Sequence, residues 1–282
     1  MNISNADRAH VLTHALPYIQ KYYGKTVVVK YGGNAMINPE LKYAVMSDII
    51  LLSLVGIKVV LVHGGGPEIS GMLKKLGIES KFVNGLRYTD KDTAEVVQMV
   101  LSGKTNKDLV SLIETEGGKA VGLCGIDGAM IKCVKKEDDG FDYGYVGDVV
   151  KVDGDMLASL LQGGTYPVVA PITHDGKGNL LNTNADTIAS EVAKGVAEKF
   201  DVTLIYCFEK PGVLMDENDD NSVIPLIDKT IFEDLKAKGI VSGGMLPKLQ
   251  SAFKALEAGV KEVVITHASA IGDSKAGTHI VL

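Results

Sequence analysis

Residues 26–36 read TVVVKYGGNAM, and residues 59–70 read VVLVHGGGPEIS. Each is an apolar, mostly β-branched run that ends in Lys30-Tyr31 or in His63 and is followed at once by glycines. Near-continuous Val/Ile/Leu runs are typical of parallel strands covered on both faces. Glycines let backbone N–H groups approach an anion, and the following helix points its positive end at that anion. We predict that both turns bind phosphate and that Lys30 serves it; a tight turn without a ligand is the alternative.

Similar apolar runs alternate with helix-length segments along the rest of the chain. Strands are predicted at Thr26–Tyr31, Lys58–His63, Ala120–Leu123, Tyr166–Pro171, Thr203–Phe208 and Glu262–Thr266. Helices are predicted at Glu40–Leu54, Glu68–Leu76, Asp90–Glu116, Thr187–Lys199 and Lys248–Ala258. The alternation predicts an α/β fold, an open and mostly parallel sheet sandwiched by helices. Ala129–Val134 and Tyr143–Val152 flank a charged segment and predict a β-hairpin with a polar tip.

The chain has 282 residues, of which 46% are hydrophobic, and this is enough for one large α/β domain or for two lobes. A turn-rich cluster at 174–179 marks the predicted lobe boundary, which gives one lobe over 25–178 and a second over 179–282. Before them, Leu12, Leu16, Ile19 and Tyr23 recur at helical spacing, and Pro17 is expected to kink that helix. This segment, 1–24, either packs on its own domain or is an arm that docks on another subunit.

Charge and cysteine content exclude several classes of function. The net charge is −6 and no basic stripe with interleaved aromatics is present, so no nucleic-acid partner is expected. Three cysteines without a C-x-x-C pair fit a reducing cytosol and argue against disulfides or a zinc site. No signal peptide or apolar run of about 18 residues is visible, so we expect a cytoplasmic protein without a membrane partner.

The glycine turns do not match the common nucleotide fingerprints. Gly66 and Gly71 have the spacing of a P-loop, but Met72-Leu73 follow where Lys-Ser/Thr is required. Ser102-Gly103-Lys104-Thr105 looks like the end of a P-loop, but position 98 is glutamine. Position 69 is isoleucine, which rules out the dinucleotide pattern G-x-G-x-x-G. If the chain binds a nucleotide, it does so as neither a P-loop protein nor a dinucleotide-binding dehydrogenase.

Several polar residues suggest a binding site. In Asn182-Thr183-Asn184-Ala185-Asp186 one residue can cap the next helix, but three amide or acid groups exceed what a cap needs. Arg87 is a surface charge or a fork for a carboxylate. Lys248 follows a third glycine turn at a helix start, where a cation is unfavourable unless an anion lies between. Lys210-Pro211-Gly212 is an ordinary turn or a nucleotide-facing loop. The six histidines lack metal-ligand spacing, and His63 is interpreted as a packed strand-end residue.

Six motifs in this order resemble the amino-acid kinase family over nearly the whole chain. They are Lys30-Tyr31-Gly32-Gly33-Asn34-Ala35-Met36, His63-Gly64-Gly65-Gly66-Pro67, Asn84-Gly85-Leu86-Arg87-Tyr88-Thr89, Gly147-Asp148-Val149, Asn182-Thr183-Asn184-Ala185-Asp186 and Gly243-Gly244-Met245-Leu246-Pro247-Lys248. The third and fifth resemble the members that phosphorylate N-acetyl-L-glutamate. The resemblance implies transfer of a phosphoryl group from ATP with Mg²⁺ to the γ-carboxylate, giving N-acetyl-L-glutamyl 5-phosphate, the second step of arginine biosynthesis.

The resemblance also implies a role for each candidate residue. Lys30 and Lys248 would stabilise the transferring phosphoryl group, and Asp186 would hold both lysines. Gly33, Gly65 and Gly66 would contact the phosphoryl oxygens. The acylated amino acid would be bound by Arg87, Asn182 and Asn184. The nucleotide would be bound by Lys210, Gly212 and Lys248. The 25–178 lobe, with the hairpin as a lid, would bind the acylglutamate, and the 179–282 lobe the nucleotide. No protein metal ligand is implied, because magnesium would arrive on the phosphates.

The resemblance leaves regulation and close alternatives open. Segment 4–23 resembles the extra helix of arginine-inhibited hexameric members, which implies a homodimer-based oligomer up to a hexamer, with L-arginine as inhibitor. The stretch His267–Thr278 departs from those members, since it is shorter and lacks the glutamate that helps to bind arginine. Tyr206–Gly212 also departs from the family pattern. N-succinylglutamate, another amino-acid kinase substrate, and a non-catalytic ligand sensor on the same fold are the alternatives.

Overall fold

The apolar runs of the sequence form the strands of the fold. The computed structural model describes residues 4, 13, 16, 19, 20, 23–138, 140–271, 273 and 275–282, without the side chains of Asn34 and Phe208. The strands are β1 Thr26–Tyr31, β2 Lys58–His63, β3 Phe82–Val83, β4 Leu86–Arg87, β5 Ala120–Cys124, β6 Ile131–Asp138, β7 Phe141–Val152, β8 Tyr166–Ala170, β9 Ile172–His174, β10 Leu180–Asn182, β11 Val202–Phe208, β12 Leu226–Ile227, β13 Glu262–His267 and β14 Thr278–Ile280.

One eight-stranded sheet forms the centre of the protein. Its strand order is β12-β14-β13-β11-β1-β2-β8-β5, and every pair is parallel except β13 with β14. All six predicted strands lie in this sheet, so the predicted open, mostly parallel sheet is confirmed. The predicted lobes contribute its two halves, which meet where β1 pairs with β11. The lobe boundary at 174–179 lies in the turn between β9 and β10 and stays a prediction.

Helices cover both faces of the sheet. They are α1 Pro39–Leu54, α2 Gly66–Lys75, α3 Lys91–Gln98, α4 Asn106–Thr115, α5 Gly154–Gln162, α6 Ala185–Ala197, α7 Lys229–Ala237 and α8 Met245–Glu257. In β1, Val28 packs into a core with residues of α6 and α8, whereas Val27 and Val29 pack into a second core with residues of α1 and α4. Strand side chains alternate between faces, so both faces of β1 are buried.

The helix predicted over Asp90–Glu116 is interrupted. Met99–Thr105 between α3 and α4 forms a π-helical segment, and the P-loop-like residues 102–105 lie within it. Two helices, α5 and α7, were not predicted. Both carry the usual signals, since Asp153 and Asp228 cap them and buried apolar residues recur at helical spacing, Leu157 and Leu161 in α5 and Phe232 and Leu235 in α7.

A small closed barrel stands beside the sheet. It has the order β10-β7-β6-β9, and its β6–β7 pair is the predicted hairpin. The charged residues 135–138, predicted to lie in its tip, instead belong to β6 and extend the pairing with β7. A short hairpin, β3–β4, carries Arg87. The predicted N-terminal arm lies largely outside the described residues. Among the described residues, no helix is both long and apolar enough to cross a membrane, and the three cysteines are buried and unpaired.

Candidate active site

The two glycine turns meet at the carboxyl ends of β1 and β2. The register pairs Lys30 with Val62 and Tyr31 with His63, so the strands end at one level. The Gly64 N–H donates to the Tyr31 carbonyl at 2.8 Å. A Cβ on Gly32 would lie 2.7 Å from Lys30 Nζ. The lysine side chain thus folds back over the glycine, and a larger residue at position 32 would displace the Lys30 ammonium group. Ligands of open α/β sheets bind at this edge.

Asp186 lies between the two lysines that the sequence analysis singled out. Its Oδ1 lies 2.8 Å from Lys30 Nζ and its Oδ2 lies 3.5 Å from Lys248 Nζ. The exposed fractions of the three side chains are 27% for Asp186, 12% for Lys30 and 14% for Lys248. The three residues come from α6, β1 and α8, so the fold brings together groups that are up to 218 positions apart in the sequence. This group is called the Lys–Asp–Lys triad below.

Burial and charge act in opposite directions within the triad. Burial raises the pKa of Asp186, but the two lysines outweigh it and hold that pKa below its ordinary value of 3.8. Burial lowers the pKa of Lys248, an effect that Asp186 opposes and Lys30 reinforces. At neutral pH the aspartate is therefore ionised. Two ammonium groups are left with one carboxylate, and the surplus positive charge suits an anion.

The polar residues of the motif at 182–186 make different contacts. Asn184 Oδ1 accepts from the N–H groups of Asp186 and Thr187 at 2.8 and 3.1 Å, which makes Asn184 the cap of α6. Asp186 is therefore not needed as the cap, and its carboxylate can bind the lysines. Asn182 Nδ2 donates to Thr89 Oγ1 at 3.1 Å. Asn184 therefore caps the helix, Asp186 contacts the lysines and Asn182 contacts Thr89.

Arg87 is fixed in place by its neighbours rather than solvated. Its Nη1 donates to Ser80 Oγ at 2.9 Å, and its Nη2 donates to Ser70 Oγ at 2.9 Å and to the Gly66 carbonyl at 3.1 Å. Its guanidinium carbon lies 4.7 Å from the centroid of the Phe82 ring. Burial lowers the pKa of Arg87, but an arginine remains charged at neutral pH. A held, desolvated guanidinium is suited to attract a carboxylate.

Two adjoining cavities lie at this end of the sheet, and Asp186 and Lys248 of the triad line the larger one. The smaller, of about 190 Å³, is lined by Arg87, Asn182 and the Gly64–Gly66 turn. The larger, of about 390 Å³, is lined by Asp186, Lys248 and the Gly244 turn. Both cavities share the wall residues Gly85, Leu86, Val146 and Asn184. They therefore form one cleft with an end that contains Arg87 and an end that contains Lys248.

Thr89, the last residue of the third motif, connects three parts of the cleft, although no site role was predicted for it. Its N–H donates to the Tyr143 carbonyl at 3.1 Å, and its carbonyl accepts from the Tyr145 N–H at 2.6 Å. Its hydroxyl donates to the Arg87 carbonyl at 2.9 Å and accepts from Asn182. A Cβ on Gly144 would lie 2.2 Å from the Thr89 carbonyl oxygen, and Gly144 has a φ of +76°. The close approach of the backbone at position 144 to Thr89 therefore requires glycine.

Other predicted site residues lie away from these two cavities. Lys210 pairs with Asp220 at 2.8 Å and donates to the Glu217 carbonyl at 3.2 Å. A Cβ on Gly212 would lie 2.7 Å from Thr278 Oγ1, and one on Gly33 would lie 3.7 Å from Glu209 Oε1. None of the three lines the smaller or the larger cavity as described. Their roles with the nucleotide stay predictions.

His63 is a structural residue, as the sequence indicated. It is fully buried, with Nδ1 at 2.7 Å from the Gly64 carbonyl oxygen and Nε2 at 3.1 Å from Asn106 Nδ2. A carbonyl needs a donor and an amide nitrogen needs an acceptor, so the proton is on Nδ1. Burial lowers the pKa of His63 to about 4. The ring is neutral at pH 7 and holds the first peptide of the glycine turn.

The geometry suits the transfer of an anionic group between two anionic partners. It supplies two cations held by Asp186, glycine turns with approachable N–H groups, and the fixed side chain of Arg87 at the far end of the cleft. Among the described residues, no group of three or more His, Cys, Asp or Glu side chains is arranged to hold a metal ion. Such a site works by positioning and charge neutralisation, and a carboxylate acceptor needs no general base.

Comparisons with known proteins agree with this geometry. The model of the amino acid kinase family matches residues 25–267. Acetylglutamate kinase of Brachyspira hyodysenteriae is 54% identical over 264 residues, which are 94% of this chain and 90% of that protein. Acetylglutamate kinase of Bacteroides thetaiotaomicron is 52% identical over 91% of this chain and 98% of that protein.

Solved structures share the fold at lower identity. N-acetylglutamate synthase of Neisseria gonorrhoeae, complexed with coenzyme A and N-acetyl-glutamate, has a TM-score of 0.84 at 23% identity. The match covers 99% of this chain and 64% of that longer chain. The chain belongs to the amino acid kinase family, in the branch that its relatives named acetylglutamate kinase represent.

Proposed function

We propose that the protein transfers the terminal phosphoryl group of ATP, bound with magnesium, to the γ-carboxylate of N-acetyl-L-glutamate. The products are N-acetyl-L-glutamyl 5-phosphate and ADP, and the reaction belongs to arginine biosynthesis. The γ-carboxylate oxygen forms the new P–O bond as the bond between the γ-phosphorus and the bridging oxygen of ADP breaks. Relatives at 52–54% identity that are named acetylglutamate kinase support this reaction.

The observation that carries the proposal is that Asp186 and Lys248 of the triad line the larger cavity, which shares a wall with the cavity that holds Arg87. Lys30 and Lys248 share one carboxylate at 2.8 and 3.5 Å. A carboxylate and a triphosphate repel each other, by about 4 kcal/mol for each pair of unit charges 4 Å apart at an effective dielectric near 20. Two lysines with one counterion offset that repulsion at the point of transfer. Asp186 keeps both ammonium groups in place, and this lowers the cost of ordering them during the reaction.

The smaller cavity is the proposed site of the acylated amino acid. Arg87 binds its α-carboxylate, Asn182 and Asn184 orient it, and the N–H groups of Gly65 and Gly66 contact the phosphoryl oxygens. The serine hydroxyls and Gly66 carbonyl that hold the guanidinium support this role, because a pre-positioned arginine loses little entropy on binding. The larger cavity receives the phosphates, and Gly33, Lys210 and Gly212 complete nucleotide binding. Magnesium enters as a ligand of these phosphates.

Acyl-phosphate formation, trapped as the hydroxamate, tests the proposed reaction. The acceptors are N-acetyl-L-glutamate, N-succinyl-L-glutamate, L-glutamate, L-aspartate and carbamate, each with MgATP. We expect turnover with N-acetyl-L-glutamate and at most a few per cent of it with the free amino acids. Activity confined to a free amino acid or carbamate would overturn the substrate assignment. Absence of turnover with all five would favour the non-catalytic sensor.

Two further arms extend the same assay. Adding L-arginine tests feedback inhibition, which we propose from the N-terminal segment; unchanged turnover would mean that the altered C-terminal stretch lacks the inhibitor site. A Lys30→Met variant tests the role of the triad, and it should bind MgATP in calorimetry yet form no hydroxamate. Wild-type turnover by that variant would remove Lys30 from the mechanism.

A further inference from the structure

Lys136 is a cation of the cleft to which neither the sequence motifs nor the family resemblance gives a role. It lies on β6 and lines the larger cavity together with Asp186 and Lys248. Its Nζ lies 3.2 Å from Asp148 Oδ2 and 3.3 Å from Asp148 Oδ1. Among the residues that line this cavity, these two lysines and two aspartates are the charged ones. The question is what Lys136 does there.

The backbone turns Lys136 toward the cleft. Lys135 pairs with Gly147 and Glu137 pairs with Asp142, so one residue of β6 faces four residues of β7, 143–146. Such irregularities re-aim side chains and are common beside active sites. The adjacent Lys135 behaves differently, since its Nζ lies 4.5 Å from the centroid of the Tyr145 ring. Two consecutive lysines therefore have different surroundings, and one of them lines the cavity.

The Lys136–Asp148 pair is easily separated. The lysine side chain is 21% exposed, whereas the aspartate side chain is 50% exposed. A pair with a half-exposed acid contributes little to stability, and water can solvate the acid when the lysine leaves. A triphosphate carries several negative charges even with magnesium bound. The charges lining the cavity sum to zero as long as both aspartates are ionised, and Lys30 behind Asp186 adds one positive charge.

We propose that Lys136 is a phosphate-binding residue that exchanges Asp148 for an oxygen of the nucleotide triphosphate. The exchange places a third ammonium group on the phosphates, from the barrel side of the cleft. It also connects the β6–β7 hairpin to the bound nucleotide. This inference rests on the proposed function, because it assigns the phosphates of ATP to the larger cavity.

Calorimetric titration of MgATP into the full chain without an acceptor tests the exchange. The test variant is Lys136→Met, which keeps the length of the side chain and removes its charge. The matched control is Lys135→Met, one residue away on the same strand. A charge-assisted hydrogen bond to phosphate is worth about tenfold in affinity. We expect about a tenfold higher Kd for Lys136→Met and a Kd within twofold of wild type for Lys135→Met.

Asp148→Asn provides the reciprocal test. It frees Lys136 from its ion pair, so we expect MgATP to bind as tightly as in wild type or severalfold more tightly. A tenfold loss in this variant would overturn the exchange, because Asp148 would then itself serve the nucleotide. An unchanged Kd in Lys136→Met, or a loss confined to the KM of the acceptor, would overturn the assignment of Lys136 to phosphate.

These results separate this inference from the proposed function. If wild type binds MgATP but forms no hydroxamate with N-acetyl-L-glutamate, the proposed reaction fails while the binding comparison still decides the role of Lys136. If wild type does both and Lys136→Met matches it in both, only the present inference fails. If wild type does not bind MgATP, both fail.

Discussion

Replacing Asp186 by asparagine removes the charge between two lysines and keeps the size of the side chain. The perturbation is sharp because Lys30 and Lys248 contact opposite oxygens of the carboxylate at 2.8 and 3.5 Å. At an effective dielectric near 20, unit charges at these distances attract by about 6 and about 5 kcal/mol. Desolvation of the three largely buried groups offsets most of that attraction.

The repulsion between the lysines remains in the variant. Their ammonium groups lie within about 9 Å of each other and repel by about 2 kcal/mol at the same dielectric. Removal of one partner of a buried ion pair is strongly destabilising, although partial exposure lets these lysines recover some hydration. We expect the free energy of unfolding to fall by about 2–3 kcal/mol. We expect kcat to fall by about 100-fold or more, because both cations lose their fixed positions.

Urea unfolding and hydroxamate formation measure the two effects. The control is Asp155→Asn, which breaks the exposed pair of Asp155 with Lys199 at 2.9 Å and should change stability by less than about 1 kcal/mol. The pKa of Asp186 is lowered in the folded state, so its contribution is present above the ordinary value of 3.8 and is lost as the pH falls through the folded pKa. The difference between wild type and Asp186→Asn should therefore be constant from pH 5 to pH 8, within about 0.5 kcal/mol, and shrink below pH 4. A variant with wild-type kcat would refute the role of Asp186 in holding the lysines.

Three further predictions concern the rest of the cleft. Arg87→Lys keeps the charge but loses the two-pronged contact, so the KM for N-acetyl-L-glutamate should rise about 10- to 100-fold with the KM for ATP nearly unchanged; equal rises in both would contradict the assignment. Gly144→Ala places a Cβ 2.2 Å from the Thr89 carbonyl oxygen and should lower the free energy of unfolding by about 2 kcal/mol or more, whereas Gly140→Ala, with open space around it, should cost less. His63 has a folded pKa of about 4 against an ordinary 6.5, so its neutral form stabilises the fold above pH 6.5 and that contribution is lost toward pH 4. Between pH 7 and pH 5 wild type should lose about 2 kcal/mol that His63→Gln does not lose, as measured by urea unfolding.

The central strands and the interest of Lys30 were predictable from the residues themselves, whereas the grouping of Asp186 with Lys30 and Lys248 came from the family resemblance. Strands such as Thr26–Tyr31 are buried on both faces, so apolar continuity marks them, and the observed bounds of β1 and β2 equal the predicted ones. The cation at the end of β1 conflicts with its buried surroundings unless a partner is present. That conflict identified Lys30 before its partner was known.

Other features depend on contacts between distant segments. The apolar residues of the π-helical segment 99–105 follow the spacing of an ordinary α-helix. Periodicity therefore does not reveal that the helix widens there. The position of Lys136 follows from the irregular pairing of β6 with β7 around residues 143–146. The position of Thr89 follows from its backbone hydrogen bonds to Tyr143 and Tyr145 of β7. Both are tertiary arrangements. From the sequence, Lys136 belonged to the charged segment predicted as the polar tip of the hairpin. The cavity that it lines exists only after the barrel closes beside the sheet.

The structure of the complex with MgADP, N-acetyl-L-glutamate and tetrafluoroaluminate tests the central claim most directly, because the fluoride complex mimics the transferring phosphoryl group. The account predicts that this group lies within hydrogen-bond distance of both Lys30 Nζ and Lys248 Nζ, with the α-carboxylate of the substrate on Arg87. Asp186 should still contact both lysines. A phosphoryl mimic bound away from the triad, or an acylglutamate that does not reach Arg87, would contradict the account.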